Sequence, residues 1–130
     1  MPPRLQIGTI ILADVNEPGG IPAGQHPAVI VSPQEEIDAG EELAVVVCST
    51  NFSLPLQAGW FSIPTMPGPD GHPVTGLNEA CVAKATWPDV VLKSDIKRVF
   101  GRVPMSICRQ IVNWLAEENA KRLRKQRERS

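Results

Sequence analysis

The side chains best suited to chemistry at neutral pH are two histidines, His26 and His72, three cysteines, Cys48, Cys81 and Cys108, and the adjacent hydroxyls of Ser49 and Thr50. An imidazole has an unperturbed pKa of about 6.5 and can act as base or as acid, while hydroxyls can donate to a developing oxyanion. No two cysteines have the spacing of zinc ligands and the histidines sit elsewhere, so neither a metal site nor a cofactor is expected. The cysteines instead read as small apolar residues in a reducing compartment. His72, between Gly71 and Pro73, receives no role, and Asp14 reads as a carboxylate that caps a turn.

Charge is distributed unevenly. The net charge is −1, yet residues 121–130 hold six of the thirteen basic residues against one acid, Glu128. Residues 1–120 therefore carry seven basic and thirteen acidic side chains, a formal charge of −6. A nucleic-acid binder with such a body needs a local basic face, because phosphate contacts dominate affinity. The candidate is the stretch holding Lys84, Lys93, Lys97, Arg98, Arg102 and Arg109.

The elements that must position these groups are mostly short. Thirteen prolines and ten glycines spread over 130 residues favour strands and turns within one domain. Strands are expected at Ile7–Asp14, at Pro27–Ser32 starting on its proline, at the apolar run Leu43–Ser49 and at Trp60–Ile63. Cys81–Thr86 reads as a fifth, Val90–Leu92 as a separate short strand, and Arg98–Val103 as an extended segment with Gly101 at a bend or bulge. Between them, Asn16–Gln25 is expected as a long mobile loop, Gln34–Glu42 as a polar connection, Pro64–Gly76 as a loop and Ser94–Ile96 as one helical turn. From Pro104 the spacing of Ile107, Ile111 and Leu115 predicts an amphipathic helix. The expected domain spans 1–120, and 121–130 is a basic tail, a fraying helical extension.

Five segments occur in an order that resembles the PemK/MazF family from about residue 5 to residue 116. They are Ile7–Asp14, His26-Pro27-Ala28-Val29-Ile30-Val31-Ser32, Cys48-Ser49-Thr50, Gly76–Lys84 and Ile96–Val103. The resemblance implies a mainly β fold with a C-terminal α-helix, the SH3-like β-barrel of PemK/MazF-like and CcdB-like proteins. It further implies a two-fold homodimer, metal-independent cleavage of single-stranded RNA by 2′-OH attack, and a cognate antitoxin partner. A growth-inhibiting toxin of a type II toxin–antitoxin system is the expected function.

By the same resemblance, His26 stands where the family commonly has a phosphate-contacting Arg before the proline of the second strand. Thr50 matches the family's Ser/Thr at the end of the buried strand, with Ser49 as a second donor. Lys84 and Thr86 fall where some members carry an Arg and an Asp; Lys84 can hold a phosphate as a point charge, and Thr86 cannot act as a carboxylate base. Phe52 and Trp60 flank a segment near Thr50 and are the candidates for stacking on RNA bases. For Ser49 and Thr50 the alternative is a pair satisfying its own turn; for Trp60 and Phe61, core or dimer contact.

The departures at His26 and Thr86, with the acidic body, leave a second function open: a catalytically silent barrel that binds protein, as gyrase-poisoning toxins of this fold do, or RNA. A chance assembly of barrel strands with an unrelated small-ligand role is the third. The N-terminal Met1-Pro2-Pro3-Arg4 leads into no signal-like run, and no apolar run approaches the ~20 residues of a membrane span, so a cytoplasmic protein is expected.

Overall fold

Six antiparallel strands and a long C-terminal helix make up the computed structural model, which describes residues 4–129. Met1–Pro3, read above for targeting, and Ser130 of the basic tail lie outside the described residues. The strands are β1 (Thr9–Asn16), β2 (Pro22–Ile30), β3 (Glu42–Ser49), β4 (Trp60–Ile63), β5 (Cys81–Leu92) and β6 (Arg98–Arg102). A short helix α1 (Gln34–Ala39) joins β2 to β3, a 3₁₀ turn (Lys93–Asp95) precedes β6, and α2 (Met105–Arg129) ends the chain. Their order in the sheet is β4-β5-β3-β2-β1-β6. The expected class, mainly β with a C-terminal helix, holds. The sheet is open, however, with β4 and β6 as its two edges.

The pleat divides the apolar residues between two cores. Ile10, Val29, Val46, Cys48 and Ala83 face α2, which contributes Ile107, Ile111, Trp114 and Leu115. Ile11, Ala13, Ala28, Val45, Val47 and Val91 face the other way, where Ile37 of α1 packs. Ile10 and Ile11 are consecutive and both fully buried, as a strand covered on both faces requires.

Three sequence expectations are corrected. Asn16–Gln25 is no long mobile loop: β1 and β2 continue into one hairpin, pairing Asp14 with Gln25, Val15 with Gly24 and Asn16 with Pro22. Side chains of β5 hold its end, Asp89 Oδ2 accepting the Asn16 N–H at 2.9 Å and Trp87 Nε1 donating to the Asn16 carbonyl at 2.7 Å. The second strand therefore starts at Pro22, not Pro27; Pro27 lies beyond the β2–β3 pairs, which begin at Ala28, and β2 there has a strand on one side only. Val90–Leu92 is no separate strand but the end of β5, which bends sharply: Lys84 pairs with Val47 and Pro88 with Val46, leaving residues 85–87 as a bulge.

The Pro64–Gly76 loop lies along the free edge of β6, where Arg102 N–H donates to the Val74 carbonyl at 3.0 Å. Gly76 (φ 72°) lies against the Phe100 backbone with no room for a side chain. Phe100 is itself the extra residue of a β1–β6 bulge, because Ile10 pairs with Gly101 and Ile11 with Val99. No helix among the described residues is long and apolar enough to cross a membrane.

Candidate active site

A cleft of about 320 Å³ opens where β2 and β3 part company. The β2–β3 ladder ends at Ala28 and Val47. Past it, His26 and Gln25 from β2 and Thr50 from the end of β3 line the cleft, over a floor that includes Cys48, Cys81, Leu77 and Phe100. Asn78 and Glu79, just before β5, close one side, and Arg98 at the start of β6 closes another.

His26 is held in a defined way. Its Nδ1 lies 3.3 Å from the Cys48 carbonyl oxygen. A carbonyl only accepts, so the ring proton sits on Nδ1 and the Nε2 lone pair remains available as a base. Trp87 meets the ring edge-on, centroids 5.3 Å apart.

Ser49 and Thr50 separate into two roles. Ser49 is buried, and its Oγ accepts the Asn51 N–H at 3.0 Å, closing the turn after β3. Thr50 is exposed on the cleft, and its hydroxyl has no hydrogen-bond partner among the described residues. Arg98 lies over the Phe100 ring, 4.7 Å from its centroid, which fixes a guanidinium beside the opening.

Lys84 and Trp60 form a separate group that does not line the cleft. The Lys84 ammonium donates to the Asn51 carbonyl at 2.9 Å and sits 4.1 Å above the Trp60 ring. Partial burial lowers its pKa from the ordinary lysine value. Trp60 Nε1 donates to Thr86 Oγ1 at 2.8 Å, so the threonine standing at the carboxylate position anchors the indole. Phe52 is half-buried and also lies outside the cleft lining.

Sequence reasoning missed Arg98 and Glu79 as site residues. Arg98 was visible only as one member of a basic stretch. What places it is register: Leu12 pairs with Pro27 on one side and Arg98 on the other, so Arg98 stands two strands from the His26-Pro27 step, roughly 10 Å away. Beneath the cleft, Cys48 and Cys81 share a thiol hydrogen bond, which together with burial pushes the Cys48 pKa up. No cluster of metal-ligating side chains occurs among the described residues.

This architecture matches solved structures of endoribonuclease toxins. An endoribonuclease from a mycobacterial species aligns over 88% of this chain and 90% of its own, at 16% identity and a TM-score of 0.64. An endoribonuclease in complex with its cognate antitoxin, also mycobacterial, aligns over 90% and 93%, at 19% identity and 0.62. The Mycobacterium tuberculosis toxin MazF-mt6 aligns over 84% and 93%, at 16% identity and 0.61. The fold is that of the MazF toxins. No protein-family model and no curated protein sequence matches the chain. At identities this low the agreement lies in the course of the backbone, and the MazF fold here carries its own cleft residues, with His26 before the proline of β2.

Proposed function

We propose that this chain is the toxin of a toxin–antitoxin pair and cuts single-stranded RNA without a metal, using the cleft between β2, β3 and β6. The observation that carries the reading is the convergence of the Thr50 hydroxyl, the His26 ring and the Arg98 guanidinium on one cleft. The His26 Nε2 takes the proton of the 2′-OH, whose oxygen attacks the adjacent phosphorus. Arg98 and Thr50 donate to the phosphorane oxygens as charge builds there. The 5′ oxygen leaves with a proton from solvent, giving a 2′,3′-cyclic phosphate and a 5′-hydroxyl. Lys84, held over Trp60, supplies positive potential beside the cleft, and Ser49 shapes the turn that presents Thr50.

One of the structural neighbours is in complex with its cognate antitoxin and another is a MazE–MazF assembly from Deinococcus radiodurans. These support an antitoxin as this chain's partner; a homodimer in the cytoplasm is the working form we propose for it. The test is incubation of wild type, His26→Ala and Thr50→Ala with long single-stranded RNA in EDTA, mapping the ends. Cuts with 5′-hydroxyl ends, lost in both variants, support the reading. A well-folded wild type that leaves a diverse RNA pool intact makes the chain a binding module.

A further inference from the structure

Among the described residues, none of α2 beyond Leu115 joins either hydrophobic core. Ile111 is its last fully buried side chain and Trp114 and Leu115 its last core contacts; every residue from Asn119 to Glu128 is exposed. The helix nonetheless runs unbroken to Arg129. From Leu115 onward it projects about 20 Å, at 1.5 Å per residue. Lys121, Arg122, Arg124, Lys125 and Arg127 lie within seven consecutive residues that contain no acid, on a chain whose first 120 residues are acidic overall.

We infer that this helical arm is a second RNA-binding element, gripping the phosphate backbone of a substrate that extends beyond the cleft. The inference rests on the reading of the cleft as an RNA-cutting site. The occupant follows from charge and composition. After Leu115 the apolar side chains are only Ala116, Ala120 and Leu123, too little surface to seat a second copy of the chain. Arg122, Arg124 and Lys125 on a preformed rod, beside Lys121 paired with Glu118, suit a polyanion, whose counterions they displace.

Position sets the length of RNA required. Leu115 lines an open groove with Val31, Ala44 and Val90, at the end of β2 and the start of β3, whereas the cleft lies at the middle of β2, by Gln25, His26 and Pro27, and at the end of β3. The arm thus leaves the body roughly five to six strand residues, ~17–20 Å, from the cleft. A short RNA filling the cleft cannot reach it; a long one can. On a helix, Lys121, Arg122 and Lys125 fall within about 100° of arc, where Lys121 also pairs with Glu118 at 3.2 Å, so a strand lying along that face meets Arg122 and Lys125 and competes with Glu118 for Lys121.

The test uses full-length protein carrying Thr50→Ala to prevent cutting, with and without Lys121→Gln, Arg122→Gln, Arg124→Gln, Lys125→Gln and Arg127→Gln, glutamine being a comparable helix former. Binding to unstructured RNAs of about 40 and about six nucleotides is followed against salt. For the long RNA the log–log salt slope should be shallower by about 2 in the neutralised arm, at roughly 0.7 per phosphate contact. A fourfold rise in salt then weakens the intact arm roughly fifteenfold more. The short RNA should bind both proteins alike. Equal slopes on the long RNA overturn the inference, as does an equal loss on the short one. So does an unchanged RNA slope with lost binding of a polyglutamate peptide, which makes the arm a protein-docking element. The cleft is scored separately, by cutting of the short RNA with Thr50 intact: arm binding without cutting refutes the catalytic reading and leaves the arm standing.

Discussion

His26 Nδ1 and the Cys48 carbonyl oxygen lie 3.3 Å apart at the point where β2 and β3 separate. The contact does two things at once: it gives a strand-end carbonyl a donor, and it fixes which ring nitrogen is left as the base. Replacement by asparagine keeps an amide N–H near the Nδ1 position and removes the base. His26→Asn should therefore keep the stability of wild type while cleavage falls by about 10²–10⁴-fold. Single-turnover cutting and a thermal melt measure the two separately; an Asn variant that cuts at full rate removes His26 from the chemistry.

Thr50 offers a hydroxyl with no other bond to make. Thr50→Val, similar in shape, should lower cleavage by roughly 10²-fold or more without shifting the melting temperature, as expected for a donor to the phosphorane. Thr50→Ser should restore most of the rate. Failure of serine to rescue would point to the methyl group's packing instead.

The buried Cys48 thiol beneath the cleft makes stability fall in alkali. A shared hydrogen bond with Cys81 and burial raise the Cys48 pKa well above 9.0, and burial raises Cys108 also. The native state thus holds the Cys48 and Cys108 protons that the unfolded chain releases, while Cys81, whose pKa the contact with Cys48 lowers, works in the opposite direction. This stabilisation is complete below about pH 9 and is lost as pH rises beyond it, by up to about 1.4 kcal/mol per pH unit for one thiol. Lys84, its pKa lowered from 10.5 by burial, opposes this, since the unfolded chain keeps its proton longer. Denaturant unfolding between pH 8 and 10.5 should show a decline that Cys48→Ala flattens, whatever its effect on the absolute level. An unchanged slope in Cys48→Ala would put the titration elsewhere.

Gly76 supports the site from a distance. Its positive φ and its closeness to the Phe100 backbone leave no room for a side chain. Gly76→Ala should cost about 1–3 kcal/mol by chemical denaturation. Because Phe100 carries the Arg98 guanidinium, cleavage should fall even where the variant is fully folded. A stability loss without any change in cleavage of folded protein would uncouple the loop from the site.

Much of this was legible in the residues alone. The period of Ile107, Ile111 and Leu115 gave α2, the run Leu43–Ser49 gave a strand buried on both faces, and Trp60–Ile63 and Gly101 were placed as found. These patterns are local, since a side chain's preference for one face repeats within its own strand or helix. The hairpin at Asn16–Gln25 was not legible, because prolines and glycines mark loops by default, and what orders them is Trp87 and Asp89, over 70 residues away. Nor was the continuity of β5 through Pro88, which pairs with Val46 just past the bulge at residues 85–87.

The sequence by itself determined which groups were available: two imidazoles, each before a proline, a hydroxyl pair at a strand end, a basic tail and an acidic body. Only the tertiary structure decided which of them meet. The pleat and the turn after β3 sent Ser49 into the interior and Thr50 to the surface. The pairing of Leu12 with both Pro27 and Arg98 brought a distant guanidinium to the cleft, while Lys84 was drawn to Asn51 and Trp60. Strand register is fixed by partners far along the chain, and a one-residue slip exchanges the two faces of a strand. Composition can supply a site's parts, but only pairing sets which of them share a side.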